Sequence, residues 1–177
     1  CILDMALGYD FIADALSAAE QHYICQRLLR EAATFLMAHR SPQIHNHEVK
    51  IGAAIAVIGF ILEDDALLDF AVNQPYGLRW QLEHGLLEEG LWFEGSVHYH
   101  YYALQGFMAF EKLAYGTYWS LRHLPYYRHM LDFPLSLLMP DGTFPRPNDC
   151  IAGQETLHHR DVYEFAWFLY HDTRYAQ

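Results

Sequence analysis

The sequence predicts an all-α protein assembled from antiparallel helix pairs. Two observations carry that expectation, and a third excludes the main rival. Apolar residues recur every three or four positions along most of the chain, the spacing of one helix face. Caps and breakers fall between these runs. No stretch alternates with the two-residue period of a half-buried strand. Short loops join the helices two by two, which suits an α/α solenoid or an α/α toroid, with a compact bundle as the alternative.

The elements follow in order. "LDMALGYDFIADAL" has helical spacing, and "SAAE" sets Ser17 as an N-cap with Glu20 three residues on, a capping box. It opens a second helix through "QHYICQRLLREAATFLMAH". "SPQIHN" reads as a loop. "HEVKIGAAIAVIGFILED" is a third helix, whose Gly52, Ala53, Ala54 and Ala56 permit close packing. "DDALLDFAV" is a short helix ending near Asn73, because Pro75 follows. "YGLRWQLEHGLL" is another, closed by Gly85 or Gly90. Ser96 caps a helix from Val97 to about Tyr115. "PYYRHMLDFPLSLL" is helical with a break expected at Pro134. "MPDGTFPRPNDC" is a loop, and "RDVYEFAWFLYHD" a final helix with an aromatic apolar face.

Composition bounds the function. The chain has 177 residues, more than half of them apolar, which is enough for a sizeable core. Its formal net charge of −11 argues against a broad nucleic-acid or anionic-membrane surface. No run is long enough to span a bilayer, "IGAAIAVIGFIL" having the length of a buried helix. Cys1, Cys25 and Cys150 are too scattered for a disulfide framework or a zinc knuckle. Cys1 stands where a processed lipoprotein bears its lipid, but helical pattern begins at once, so the expectation is a piece that starts inside a domain.

Three stretches carry residues suited to chemistry. In "HNHE", residues 45–48, Asn46 is a good N-cap with solvated histidines beside it. Alternatively, Asn46 and His47 use the free N–H groups and positive dipole end of the helix to hold a carboxylate. In "GLWFEGSVHYHYYAL", His98, Tyr99 and His100 fall in the first turn after Ser96. There they are either aromatic core with rim histidines or groups that move protons. His98 and His100, two apart on a helix, do not share a face and make a poor metal pair. A tyrosine near cationic groups and a histidine titrating near neutrality together supply acid and base. Proton abstraction beside a carboxylate needs such a base, plus donors for the enolate-like charge. In "PDGTFPRPNDC", Arg146, Asn148 and Asp149 either face a cleft or belong to a solvated loop.

In this order the segments resemble the helical domain of the heparinase II/III-like polysaccharide lyases, including the oligo-alginate lyases. "LGYDFIADALSAAEQHYICQRLL" is similar to their early helix pair. "NHEVKIGAAIAVIGFILED" is similar to the helix that begins with their catalytic Asn-His. "QLEHGLLEEGLWFEGSVHYHYYAL" is similar to the stretch bearing their catalytic tyrosine, and "MPDGTFPRPNDC" to their Pro-Asp-Gly…Asp loop. The resemblance implies an incomplete (α/α) toroid, present as a fragment over residues 1–177. It also implies eliminative cleavage of a uronic-acid polysaccharide without a redox cofactor. It carries over Asn46 and His47 as carboxylate neutralisers, with His47 also a base. It places the proton-moving residue at Tyr99, by the Tyr99-His100 pair, leaving Tyr101 and Tyr102 as alternatives. Arg79, Glu94, His100 and Asn148 are then candidates for supporting contacts or the sugar cleft. The family's β-sandwich domain, with its further histidine and a structural metal in some members, is expected to belong to the rest of the chain. No metal site is expected here. The expected partners are an anionic uronate polymer or oligomer and the remainder of the protein, in the periplasm or cytoplasm of a bacterium. Two rivals stand beside this reading. An α/α-barrel glycoside hydrolase would need two carboxylates across a cleft. A non-catalytic helical module would bind glycan or protein on its aromatic face.

Overall fold

Residues 2–150 and 156–176 are described by a computed structural model; Cys1 lies outside them. Helix α1 (Ile2–Ile12) buries Leu3 and Ala6 and ends in a 3-10 turn, Ala13–Ala15. The capping box then forms as its sequence requires: the Ser17 N–H donates to Glu20 Oε2 at 2.8 Å and the Glu20 N–H to Ser17 Oγ at 3.4 Å. It starts α2 (Ala18–Ile24), which runs through a π-helical segment, Cys25–Arg30, into α3 (Glu31–Ala38).

Helix α4 (Asn46–Ile61) is the central element, with Asn46, Glu48, Val49 and every residue from Gly52 to Gly59 buried. Its small residues let neighbours close in, as the sequence suggests. A side chain at Gly59 would meet Leu68 at 3.0 Å, and one at Gly106 of the partner helix would meet Val49 at 2.9 Å. Asp64 caps α5 (Asp65–Val72), and α6 (Leu78–His84) follows the Pro75 turn. Ser96 caps α7 (Val97–Ala114) by accepting the Tyr99 N–H. Helices α8 (Pro125–Leu137) and α9 (Arg160–Tyr170) complete the fold. Among the described residues there are no strands, only the isolated bridges Leu86–Trp92 and Thr143–Thr156.

The helices form two layers of opposite direction. The Lys50 ammonium lies over Tyr102, and Phe60 meets Phe110, so α4 and α7 run the same way. His159 stacks on Tyr101 and Phe168 meets Tyr115 at a tilt, so α9 runs with α7. The start of α1 shares a pocket with the first half of α4. The α2–α3 rod returns the other way: Arg30 reaches Asp64 beyond the end of α4, and Arg40 reaches Glu48 at its start. Helix α5 doubles back along α4, and Met130 of α8 meets His100 at the start of α7. This array of helical hairpins is an all-α fold consistent with an arc of an α/α toroid.

Two expectations are corrected. Pro134 does not end its helix; α8 continues through it to Leu137. Proline removes the N–H that would bond the carbonyl four residues back, here Met130, and His100 Nε2 takes that carbonyl instead at 2.8 Å. Nor is Asn46 the cap of α4. His45 is, its Nδ1 accepting the His47 N–H at 3.2 Å, which makes Asn46 the first helical residue.

Candidate active site

Freed from capping, the Asn46 side chain turns to the loop before α7. Its Nδ2 lies 3.0 and 2.8 Å from the two oxygens of Glu94. Those oxygens sit too close together to take both amide hydrogens, so they share one N–H. Asn46 is 1% exposed, and its Oδ1 is buried with no hydrogen-bond partner. Glu94 is fixed from its other side by Trp92 Nε1 at 2.6 Å. The Trp92 backbone N–H in turn donates to His100 Nδ1 at 3.1 Å. A single chain of hydrogen bonds thus runs Met130–His100–Trp92–Glu94–Asn46.

That chain fixes what His100 does. Its ring is fully buried, accepting at Nδ1 and donating at Nε2. Burial pushes its pKa down to about 4, against a smaller opposing effect of the Met130 bond. His100 is a neutral structural imidazole and does not reach a sugar.

The start of α4 is held by groups that local sequence pattern does not single out. Arg40 pairs with Glu48 at 2.9 Å, with both side chains under a tenth exposed, and also donates to the Tyr76 carbonyl. Gln81 is fully buried; it accepts the His45 N–H and donates to the Gln43 carbonyl. His47 itself is exposed, tilted against His45 at 4.8 Å between centroids and edge-on to Tyr102 at 6.2 Å.

The three tyrosines of α7 part company. Tyr101 is buried, its hydroxyl 2.9 Å from that of Tyr163, and burial holds its proton very firmly. Tyr99 and Tyr102, three residues apart, share the face toward α4. The Tyr99 hydroxyl donates to Asp149 Oδ2 at 3.2 Å, and the Asp149 charge raises the pKa of the phenol. Tyr102 lies between His47 and Lys50.

The "PDGTFPRPNDC" loop docks on this end of α7. Asn148 Nδ2 donates to the Gly95 carbonyl and Ser96 Oγ to that of Asp149. Gly95 has φ +71°, a conformation that favours glycine, and a side chain there would push away the Asn148 amide that bonds its carbonyl. Asn148 supports the loop that carries the Tyr99 partner.

Arg79 is not brought to this cluster. It donates to the Tyr118 carbonyl and stacks on that ring, past the other end of α7. Among the described residues no group of three or more His, Cys, Asp or Glu is placed to hold a metal ion, and no helix is long and apolar enough to cross a membrane. Lys50, Gln81 and the Arg40–Glu48 pair were not assigned roles from sequence, though the charged residues Glu48 and Lys50 inside "NHEVKIGAAIAVIGF" mark where that buried helix meets something polar.

The fold is an all-α array of helical hairpins, with Asn46, His47 and Tyr102 near the start of its inner helices. The alginate lyase family model matches residues 13–116, from the end of α1 past the end of α7. The chain belongs to the alginate lyase family. It is 33% identical over 110 residues to an alginate lyase of Stenotrophomonas maltophilia. It is 32% identical over 114 residues to an exo-oligoalginate lyase of Saccharophagus degradans. These matches cover 58% and 59% of the chain but only 15% of each relative.

Proposed function

We propose that the protein to which this chain belongs cleaves uronic-acid polysaccharides by β-elimination, with alginate-type uronans as the first substrate class. The observation that carries the reading is the meeting of Asn46–Glu94, His47 and the Tyr99–Tyr102 face at one rim. The names of the relatives support it and favour alginate-type chains over heparin or heparan.

In this mechanism a sugar carboxylate docks at the start of α4, against Asn46 and the exposed His47 ring. Neutralising it acidifies the neighbouring C5 proton. His47 takes that proton as its electron pair forms the C4–C5 double bond. The C4–O bond breaks, and the leaving glycosidic oxygen takes a proton from Tyr99. The Tyr99 hydroxyl is protonated and oriented by its bond to Asp149, which leaves it the proton donor in this reading. Glu94 positions Asn46. The sum is redox-neutral. Tyr102 is the second reading for the acid, favoured by its contact with His47.

Ultraviolet absorbance of the unsaturated uronate tests this, using the full-length protein on alginate, heparan sulfate and hyaluronan. A rise on alginate that falls by about 100-fold or more in Tyr99→Phe is expected. Loss in Tyr102→Phe alone would move the acid to Tyr102. New reducing ends without absorbance would make the protein a hydrolase, and binding without either would make it a binding module.

A further inference from the structure

We propose that Lys50 binds the carboxylate of a second uronate unit, adjoining the one held at Asn46 and His47, in the pocket enclosed by α1, α4 and α7. The inference rests on the uronan reading above and names a subsite within it.

The pocket has a volume of about 520 Å³. His47 and Tyr102 form its side toward the candidate catalytic cluster, and Ile51 and Ala54 line it deeper along α4. Lys50 is the one Lys or Arg among the described residues that line it. It follows Asn46 by four residues and His47 by three, so all three lie on one face of α4. The axial step from His47 to Lys50 is ~4.5 Å, and the lysine stem adds reach. A uronan bears a carboxylate on each sugar unit. A chain laid along α4 with one carboxylate at the helix start therefore brings the next toward Lys50.

The state of Lys50 supports this use. Its Nζ stands 4.7 Å from the centroid of the Tyr102 ring, which holds the ammonium against an aromatic face. Burial lowers its pKa, and the charge of Asp4 in the same pocket partly offsets that. A partly desolvated ammonium costs stability, and methionine would fill the same wall without the cost. Arg40, the other cation near the start of α4, is already committed to Glu48 and the Tyr76 carbonyl. Among the described residues, Lys50 meets the ring of Tyr102 and the Asp4 charge, and a substrate carboxylate would add an opposite charge beside it.

The test is equilibrium binding by calorimetry, in the full-length protein with Tyr99→Phe to stop turnover. Lys50→Met and Lys50→Arg are compared on an alginate-type trisaccharide and its carboxyl-reduced counterpart. The expected result is about tenfold weaker binding of the charged trisaccharide in Lys50→Met, substantial recovery in Lys50→Arg, and no change for the reduced ligand. Its melting midpoint should equal or exceed that of the parent, which separates lost charge from lost folding. An equal loss on both ligands, or no loss on either, overturns the proposal. If the protein with Lys50 intact binds neither ligand and releases no unsaturated uronate, the uronan reading itself has failed, and the subsite with it. If it binds the charged trisaccharide and Lys50→Met binds it equally well, only the subsite falls.

Discussion

In the proposed mechanism Glu94 touches no bond-breaking atom and acts through the residue it holds. One carboxylate is gripped by the Trp92 indole and in turn holds the Asn46 amide. Glu94→Gln leaves one acceptor oxygen for both the Trp92 indole and the Asn46 amide and puts an NH2 where the other oxygen was, so the grip on Asn46 loosens. Elimination on a uronan should drop by ~10–100-fold in kcat, since a displacement of about 1 Å at a reacting group costs that much. The melting midpoint should hardly move, and unchanged kcat would show that Asn46 needs no such support. His100 makes the opposite case. His100→Ala strands the Trp92 N–H and the Met130 carbonyl in the interior and should cost about 2–4 kcal/mol in urea unfolding. The same residue gives a pH dependence. Its folded pKa is depressed to about 4 from an ordinary 6.5, so between these values the unfolded chain binds more protons. Stability should therefore fall as pH drops from about 6.5 to about 4, by up to ~3 kcal/mol from this group. The profile of His100→Gln should lack that slope. None of this was legible locally. His100 reads as a rim histidine because its partner carbonyl is thirty residues away. Asn46 reads as a cap because histidine, which takes the position, is not among the usual capping residues.

At the scale of elements the sequence was much more informative. The Ser17 box, the Ser96 cap and the small-residue face of α4 formed where their chemistry requires. Each depends on neighbours within a turn or on a sustained period. Ser17→Ala should cost about 1 kcal/mol, read as a shift in urea midpoint with unchanged slope. Pro134 was misjudged because a proline rule counts the bond lost and cannot see a donor arriving from another helix. That exchange is measurable. Pro134→Ala restores an N–H that competes with His100 for the Met130 carbonyl. His100→Ala should thus be less damaging in that background, with a coupling of ~1 kcal/mol or more in a double-mutant cycle. Additive losses would show that the proline and the histidine are independent. The two-layer order of helices was legible only as pairing; which helices run together comes from contacts such as Phe60–Phe110.

The whole chain leaves large apolar side chains in solvent. Phe11 is 92% exposed, Tyr23 67% and Phe35 60%, all on α1 and the α2–α3 rod. Expressed by itself, the 177-residue chain should associate as its concentration rises, because exposed apolar surface of this kind seeks cover. Sedimentation velocity should show that association weaken in a Phe11→Ser, Tyr23→Ser, Phe35→Ser triple variant. A strictly monomeric wild-type chain would contradict it. The parallel course of α4, α7 and α9 has a consequence of a different kind. Each of those helices starts toward the rim where Asn46, His47 and Tyr99 lie, and each start carries ~0.5 of a positive charge from its peptide dipoles. A molecule that is acidic in total can thus turn a cationic mouth toward a polyanion. That mouth is made of main chain, so no single side-chain substitution can erase it.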